Sequence, residues 1–332
     1  MLYPLTFHPI FKERVWGGRN LERLYQKVLP PGVPIGESWE ITDRPEGVSV
    51  IANGPLRDKD LRWLMENHTE ELLGSARSPA GRFPLLIKIL DAQEKLSLQV
   101  HPPASVTAQL GGEPKTEMWY IAYTAPDAEL YVGLKRGVTQ LEFERKIQDG
   151  TVADCFHHLA VRPGDAMFLP SGRVHAIGAG NVIFEIQQNS DTTYRVFDWN
   201  RPGLDGKPRE FHVPQSLTSI DFNDFEPSLI QDQWTSAGGG RRRSLVDDPL
   251  FKVDVLEVRS GDSVLSRQST LRIIGLLKGR LTVANGKHSV ELLPGQFCLL
   301  PASLKAVELS AATASAFLQI QAGEGGTIRQ PR

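Results

Sequence analysis

The sequence predicts a mainly β protein, built as a sandwich or barrel with few helices. Three observations support this prediction. Short apolar segments recur between Pro, Gly and Asn residues, as at 85–90, 118–122 and 271–277. Polar and apolar residues alternate from Leu96 to His101, and one ten-residue pattern occurs twice in the chain.

The stretch from Leu96 to His101 indicates a strand with one polar face. Successive residues on a strand point to opposite sides, so the apolar residues at 96, 98 and 100 face away from Ser97, Gln99 and His101. Buried polar groups are costly unless something binds them. We therefore expect this strand to face a polar cavity that holds a ligand or a metal.

The repeated pattern predicts two barrels of related design. Residues 161–170 (VRPGDAMFLP) and 292–301 (LLPGQFCLLP) both read as a Pro-Gly turn, an apolar strand and a proline. His175 follows the first copy, and the aligned position after the second copy is Ala306. We therefore expect a functional domain over 1–235, a Ser/Gly/Arg linker at 236–244, and a degenerate β domain over 245–325 with a packing or interface role.

Helical signals are few and local. Apolar residues recur at helical spacing between Asp58, a possible N-cap, and Gly74. Thr139 and Glu142 form a capping-box pattern. These patterns predict two helical insertions, at about 58–74 and 136–160. Asn285-Gly286, between two apolar runs, predicts a type I′ hairpin.

Composition and charge favour a soluble globular protein. The 37 basic and 39 acidic residues nearly cancel, so no overall field recruits nucleic acid or an anionic membrane. The two cysteines, Cys155 and Cys298, lie far apart, which suits a reducing compartment. The N-terminus has charges and prolines where a signal peptide has a continuous apolar region. We expect a cytoplasmic protein without nucleic-acid or membrane partners.

The segment that leads to His175 resembles a cupin motif. Gly164, Pro170-Ser171-Gly172 and His175 have the spacing of the second cupin signature. In cupins, the histidine of this motif joins ligands from an earlier strand pair to bind a metal inside a small barrel. The earlier ligands would come from Gln99-Val100-His101 and Glu117. The resemblance implies a cupin-type β-barrel (jelly roll), followed by a second, degenerate cupin barrel.

The full set of motifs resembles the type I mannose-6-phosphate isomerases (phosphomannose isomerases), most closely their short bacterial branch. The matching motifs are, in order, Trp16-Gly17-Gly18, Gly36-Glu37-Ser38-Trp39-Glu40, Pro84-Leu85-Leu86-Ile87-Lys88, Gln99-Val100-His101, Lys115-Thr116-Glu117, His175, Asp191-Thr192-Thr193-Tyr194-Arg195 and Asp198-Trp199-Asn200-Arg201. They cover about the first two-thirds of the chain, and the last third matches only as a degenerate cupin.

This resemblance implies one zinc ion per chain, held by Gln99, His101, Glu117 and His175. The chemistry of the residues agrees, because imidazole and carboxylate groups are good Zn²⁺ donors. The implied reaction interconverts mannose 6-phosphate and fructose 6-phosphate through a cis-enediol. The implied partner is thus a small sugar phosphate, and the implied assembly is a monomer or a small homo-oligomer.

The resemblance also implies roles for residues around the metal. Arg195 matches the catalytic-site arginine of the family, and Lys115 matches a lysine that lines the sugar site. Glu185 and Asp191 match acidic residues of the site, while Ser97 and Arg201 fall where the family contacts phosphate. The base stays open between Glu185, Asp191, Lys115 and a zinc-bound hydroxide, with Glu185 or Asp191 preferred. Lys88 and Glu40 also lie in family motifs, but buried structural pairing explains them about as well.

Three alternatives stay open at this point. The first alternative is an isomerase of another phosphorylated sugar. The second is a non-catalytic cupin that binds sugar phosphates. A third alternative is an Fe(II) cupin oxygenase, because His101, Glu117 and His175 alone satisfy a two-histidine, one-carboxylate iron site. Gln99 argues against an oxygenase, since it fills a position that such an enzyme leaves open to O₂.

Overall fold

The computed structural model describes residues 1–324, and they form a mainly β structure, as the sequence predicts. The last residue of the predicted second domain, 325, lies outside the described residues. The strands of the first part are β1 (Ile10–Gly18), β2 (Ile35–Ile41), β3 (Asp43–Arg44), β4 (Gly47–Val48), β5 (Leu85–Ala92), β6 (Leu98–Val100), β7 (Glu117–Thr124), β8 (Glu129–Leu134), β9 (Phe156–Ala160), β10 (Ala166–Leu169), β11 (His175–Ile177), β12 (Asn181–Gln188) and β13 (Tyr194–Phe197). The second part contains β14 (Thr235–Ala237), β15 (Gly240–Asp247), β16 (Phe251–Val258), β17 (Ser263–Arg267), β18 (Arg272–Lys278), β19 (Leu281–Asn285), β20 (His288–Leu292), β21 (Phe297–Leu300), β22 (Ala306–Ala311) and β23 (Ser315–Ala322).

The helices are short and lie mostly in the first part. They are α1 (Asn20–Tyr25), α2 (Leu61–Asn67), α3 (Thr69–Leu73), α4 (Ala104–Leu110), α5 (Gln140–Gln148) and α6 (Val213–Ser219). Within the described part of the chain, no helix has the length and apolar character needed to cross a membrane.

Both predicted helical insertions are present, with corrected details. Asp60, rather than Asp58, caps α2 by accepting the Trp63 backbone N–H at 2.7 Å. Thr139 caps α5 as predicted, accepting the Glu142 N–H at 3.2 Å. The predicted insertion at 136–160 is too long, because its last residues form β9, which pairs with β8.

Two sheets form the first barrel. A six-stranded sheet has the order β1-β2-β5-β12-β7-β10, and a five-stranded sheet has the order β13-β6-β11-β8-β9. Side chains from both sheets meet in a buried apolar cluster inside the barrel, which includes Trp119, Val132 and Ile177. Leu98 and Val100 pack on the opposite, outer face of β6 as predicted. Leu96 lies in the inner cluster instead, because it precedes the strand.

The second barrel repeats this architecture. Its sheets have the orders β14-β15-β16-β23-β18-β21 and β17-β22-β19-β20. The strands β10 and β21 contain the two copies of the repeated pattern and lie at equivalent sheet edges, which confirms the predicted repeat. The predicted hairpin joins β19 and β20, but its loop is Gly286-Lys287, because Asn285 pairs with His288. Gly286 has positive φ while Lys287 does not, so the turn is not type I′, which needs positive φ at both loop residues.

The two barrels pack closely through one shared apolar cluster. It joins the outer face of the six-stranded first sheet (Ile87, Phe184) to the second barrel (Leu299, Leu318). Leu5, near the N-terminus, exchanges backbone hydrogen bonds of 2.9 and 2.8 Å with Leu299.

The segment predicted as a linker, 236–244, is instead a β-hairpin formed by β14 and the start of β15. Its glycines make the tight turn, where Gly238 has a φ of +57°. Its arginines cover Trp234, with the Arg241 guanidinium 4.3 Å from the ring centroid. The prediction failed because this Gly/Arg composition suits both a linker and a ribbon with a charged face.

Candidate metal centre and active-site cavity

Three buried side chains converge at one end of the first barrel. His101 directly follows β6, Glu117 begins β7, and His175 begins β11. One donor atom of each residue lies within 4.8 Å of the others. The Glu117 carboxylate lies between the imidazoles, 3.5 Å from His101 Nε2 and 3.4 Å from His175 Nε2.

Backbone contacts orient both histidines toward this point. His101 Nδ1 lies 2.8 Å from the Thr192 carbonyl, and His175 Nδ1 lies 2.9 Å from the Arg173 carbonyl. Each Nδ1 must therefore donate its proton to the backbone carbonyl, which leaves an unprotonated Nε2 facing Glu117. Metal-binding histidines usually donate the N–H of their other ring nitrogen in this way, here from Nδ1 to a backbone carbonyl.

Burial keeps the donor set in the protonation state that a metal needs. Burial and the neighbouring Lys115 charge lower the pKa of His101 to about 3, so its ring is neutral. Burial lowers the pKa of His175 as well. Burial alone would raise the pKa of Glu117, but its neighbours, above all the Lys115 ammonium 3.0 Å away, together outweigh burial and lower that pKa.

Several polar atoms of this cluster have no hydrogen-bond partner among the described residues. They are His101 Nε2 and both carboxylate oxygens of Glu117, although Oε2 forms an ion pair with Lys115 Nζ at 3.0 Å. Buried polar atoms are rarely left unpaired, and neutral imidazole and carboxylate are suitable metal ligands. The residues present therefore fit a divalent metal ion.

Gln99, the fourth predicted ligand, lies beside this cluster. It pairs with His175 across β6 and β11, and its Nε2 lies 3.3 Å from His175 Nε2. Its Oε1 accepts a hydrogen bond from Ser97 Oγ at 3.1 Å. The four side chains predicted as metal ligands are thus brought together at one place.

A cavity of about 540 Å³ opens beside this cluster. Six of the predicted site residues line it: Ser97, Gln99, Lys115, Glu185, Asp191 and Arg195. Arg201 does not line it. Both Nε and Nη2 of Arg201 bind Asp198 Oδ1, at 3.1 and 2.6 Å, and Nη1 lies 3.6 Å from Glu94.

A second arginine on the same loop reaches the cavity instead. Arg209 lines the cavity together with Arg195. Its Nη1 donates to Asp198 Oδ2 at 2.9 Å, so the buried Asp198 carboxylate holds Arg201 with one oxygen and Arg209 with the other. The sequence contained no periodic pattern or motif that singled out Arg209.

The cavity wall also contains a charged network around Lys88, for which the sequence suggested buried pairing without identifying the partners. Lys88 Nζ lies 3.3 Å from Glu185, and 3.8 Å from both Glu37 and Asp191. Arg14 binds Glu37 at 2.9 Å. Burial opposes ionisation of Glu37, but Lys88 and Arg14 prevail and lower its pKa to about 2. Lys88, which interrupts the apolar run Leu85–Leu90 of β5, was the available sequence signal for this network.

Of two glutamates in the family motifs and site predicted from the sequence, Glu185 lines the cavity and Glu40 does not. Glu185 lies on β12 opposite Lys88, and Trp119 Nε1 donates to its Oε2 at 3.1 Å. Burial, together with the nearby charge of Glu117, raises the pKa of Glu185. Glu40 instead forms a buried pair with Lys27 at 2.7 Å and does not line this cavity.

Comparison with known proteins agrees with this architecture. Residues 5–117 match the family model described as phosphomannose isomerase type I, catalytic domain. The chain is 35% identical over 309 residues to mannose-6-phosphate isomerase ManA of Bacillus subtilis (strain 168), covering 91% of this chain and 94% of the relative. It is 33% identical over 306 residues to mannose-6-phosphate isomerase of Streptococcus mutans, covering 92% and 94%. The crystal structure of mannose 6-phosphate isomerase from Bacillus subtilis superimposes with a TM-score of 0.87 at 29% identity, covering 96% of this chain and 99% of that one.

Fold and site thus define a cupin-type double barrel with a candidate metal centre in the first barrel. The extent of the sequence identity is more specific: the chain belongs to the type I phosphomannose isomerase family. The family and the isomerase class predicted from the sequence are both confirmed.

Proposed function

We propose that this protein interconverts mannose 6-phosphate and fructose 6-phosphate. The observation that carries the proposal is the cavity lined by carboxylates and cationic side chains, which lies beside the candidate metal centre and shares Gln99 with its predicted ligand set. The named activity of the relatives supports this choice of substrate.

We assign one zinc ion per chain to Gln99, His101, Glu117 and His175. Bound there, zinc would act as a Lewis acid that polarises the substrate oxygens and offsets negative charge. Since Glu117 supplies the single carboxylate of this set, the centre would keep a net positive charge.

Glu185 is the preferred base. In the proposed reaction it removes the proton from C2 of the aldose, or from C1 of the ketose, and returns it to the neighbouring carbon of a cis-enediol. Its raised pKa brings it closer to the operating pH, which favours proton transfer in both directions. Asp191 is a less suitable base because its side chain is 36% exposed, and the Lys115 ammonium already pairs with Glu117.

The cations of the cavity have two proposed roles. Lys115 and Arg195 would place positive charge where the enediolate oxygen develops. Arg195 Nε is buried and has no hydrogen-bond partner within residues 1–324, so it can donate to substrate. Ser97 and Arg209 would hold the phosphate and thereby position the reacting carbons. Arg209 replaces Arg201 in this role, because Arg201 does not line the cavity.

The test is a coupled assay that detects fructose 6-phosphate formed from mannose 6-phosphate, before and after chelation and zinc add-back. We expect turnover to disappear with the chelator and to return with zinc. A folded, zinc-loaded protein that shows no turnover would refute the proposal. Turnover of a different sugar phosphate alone, binding without turnover, or iron as the native metal would each point to one of the alternatives above.

A further inference from the structure

The second barrel contains a polar mouth at the place that corresponds to the metal centre of the first. In the first barrel, Leu169 pairs with Glu117, and Gln187 pairs with Glu117 from the other side. In the second barrel, Leu300 and Gln321 pair in the same way with Arg272. Arg272 therefore occupies the position of Glu117, with a cation in place of the carboxylate.

Three cationic side chains surround this mouth. Arg267, Arg272 and Lys305 line a cavity of about 420 Å³, and none of the other lining residues is acidic. The chain as a whole has a formal charge of −2, so this concentration of positive charge is a local feature. A concave site lined by one sign of charge favours a ligand of the opposite charge.

The Arg272 guanidinium lacks a full set of partners. Its Nη1 donates to Ser266 Oγ at 2.8 Å, but its Nε is buried without a partner among the residues that the structure describes. Burial lowers the pKa of Arg272, although the neighbouring Asp254 acts in the opposite direction. Asp254 is itself bound by Arg242 at 3.2 Å, so the charge of Arg272 is only partly compensated.

Gln268 supplies a second unpaired group in the same cavity. Only 9% of this residue is exposed, and its Nε2 is fixed on the Pro301 carbonyl at 2.7 Å. Its Oε1 is buried and has no hydrogen-bond donor in the described chain. An acceptor beside three cations suits a ligand that combines negative charge with an O–H group.

The backbone at Lys305 is held in an unusual conformation. Lys305 has a φ of +57°, which a non-glycine residue adopts only when its surroundings impose it. Its carbonyl accepts the Gln268 N–H at 2.8 Å. This contact fixes Lys305 beside Gln268 at the mouth.

We propose that the mouth of the second barrel is a binding site for a small phosphate-bearing anion. The site is separate from the cavity of the first barrel and shares no lining residue with it. Phosphate oxygens would pair with Arg267, Arg272 and Lys305, since guanidinium groups bind phosphate strongly. An O–H of a protonated phosphate or of an attached sugar would donate to Gln268 Oε1.

The experiment is a calorimetric titration of the full chain with inorganic phosphate and, separately, with mannose 6-phosphate. Arg209→Ala weakens the proposed phosphate contact of the first barrel, so binding to the second barrel can be followed in this background. There we expect Arg272→Gln and Lys305→Gln each to weaken binding about tenfold or more, as the loss of a charge-assisted hydrogen bond does. The two probes separate free phosphate from phosphate attached to a sugar.

Arg280→Gln is the matched control, because Arg280 lies on the same barrel, pairs with Glu291 at 2.8 Å and does not line the cavity. It should bind both probes like the parent. Equal affinities for the parent, Arg272→Gln and Lys305→Gln would overturn the proposal, and so would equal losses in all three variants. The Lys305 side chain is exposed, so Lys305→Gln should leave the fold intact. A loss of binding in this variant therefore cannot be attributed to misfolding. Because the readout is binding, the result does not depend on whether the first barrel turns over mannose 6-phosphate.

Discussion

The two barrels share one architecture but have different interiors. Strand order β5-β12-β7-β10 in the first corresponds to β16-β23-β18-β21 in the second. Inside the first barrel, polar side chains occupy one end, around Glu117 and His175. Inside the second, an apolar cluster that includes Ile274, Leu276 and Phe317 fills the core. The scaffold therefore tolerates both interiors, and the inward-facing residues at the open end decide which chemistry each barrel presents: carboxylate and imidazole in the first, and Arg272 in the second.

The sequence alignment matched His175 with Ala306, and the strand register corrects this match. His175 pairs with Gln99, and in the second barrel Val307 pairs with Ser266. Val307, rather than Ala306, belongs to the inner cluster of the second barrel. The sequence alignment was shifted by one residue because the turn before β22 follows a different path, with Lys305 at positive φ.

The largest effect is expected when His175 of the first barrel is replaced by valine, the residue found at the corresponding position, Val307, of the second barrel. His175→Val removes one of the clustered donors and should lower the zinc content. Turnover should fall by at least about a thousandfold, since the charge stabilisation that the metal would supply is lost. Metal analysis and the coupled assay measure the two effects. The apolar valine should leave the barrel folded, as judged by circular dichroism. A His175→Val enzyme with full zinc and full activity would contradict the assigned centre.

The second prediction concerns Glu185→Gln. This change introduces the residue that the second barrel has at the corresponding position, Gln319. The amide of Glu185→Gln cannot accept a proton, so kcat should fall by about a hundred- to ten-thousandfold, the usual contribution of a general base. Zinc content should not change.

The pH profile provides an independent check of Glu185. A base must be ionised, so activity should be lost as pH falls through the pKa of Glu185, which burial and the charge of Glu117 raise above the ordinary value of a glutamate. The residual activity of Glu185→Gln should lack this limb. Asp191→Asn is the comparison variant, and a larger loss there would identify Asp191 as the base.

The third prediction concerns the loop after β13, which supplies Arg209 to the first cavity. Arg209→Ala should raise KM for mannose 6-phosphate about ten- to a hundredfold, the range for one charge-assisted contact. Arg201→Ala removes the other partner of Asp198 but no cavity cation, so its effect on KM should be much smaller. Lys207→Ala, on the same loop, controls for a general loss of charge. A larger KM increase in Arg201→Ala would restore the assignment made from the sequence.

The sequence was most informative where backbone pattern and chemistry coincide. The alternation around Gln99 and His101 placed their side chains in the first barrel, and the repeated Pro-Gly pattern predicted the second. Glu117 and His175 came from motif spacing, and the structure brings both to the same point. These features depend on local order along the chain, which a sequence displays directly.

The missed features depend on contacts between distant segments. Glu37 and Lys88 meet because β2 and β5 are neighbours in the sheet, and no local pattern encodes that pairing. Arg201 and Arg209 lie on one loop, and their different directions result from how Asp198 holds each of them. The Gly/Arg segment was misjudged as a linker because its partner, β16, comes later in the chain.

The smallest effect on catalysis is expected from a polar group placed inside the second barrel. Cys298 is fully buried in its apolar cluster, and Cys298→Ser would bury a hydroxyl there at a cost of about 1–3 kcal/mol in the free energy of unfolding. Cys298→Ala is the control, because alanine is close in size to serine but has no hydroxyl. The difference between the two variants therefore gives the cost of the buried hydroxyl. Urea denaturation measures the difference, while kcat and KM should stay within about twofold of the parent. A large loss of kcat in a folded Cys298→Ser protein would show that the second barrel does more for catalysis than packing.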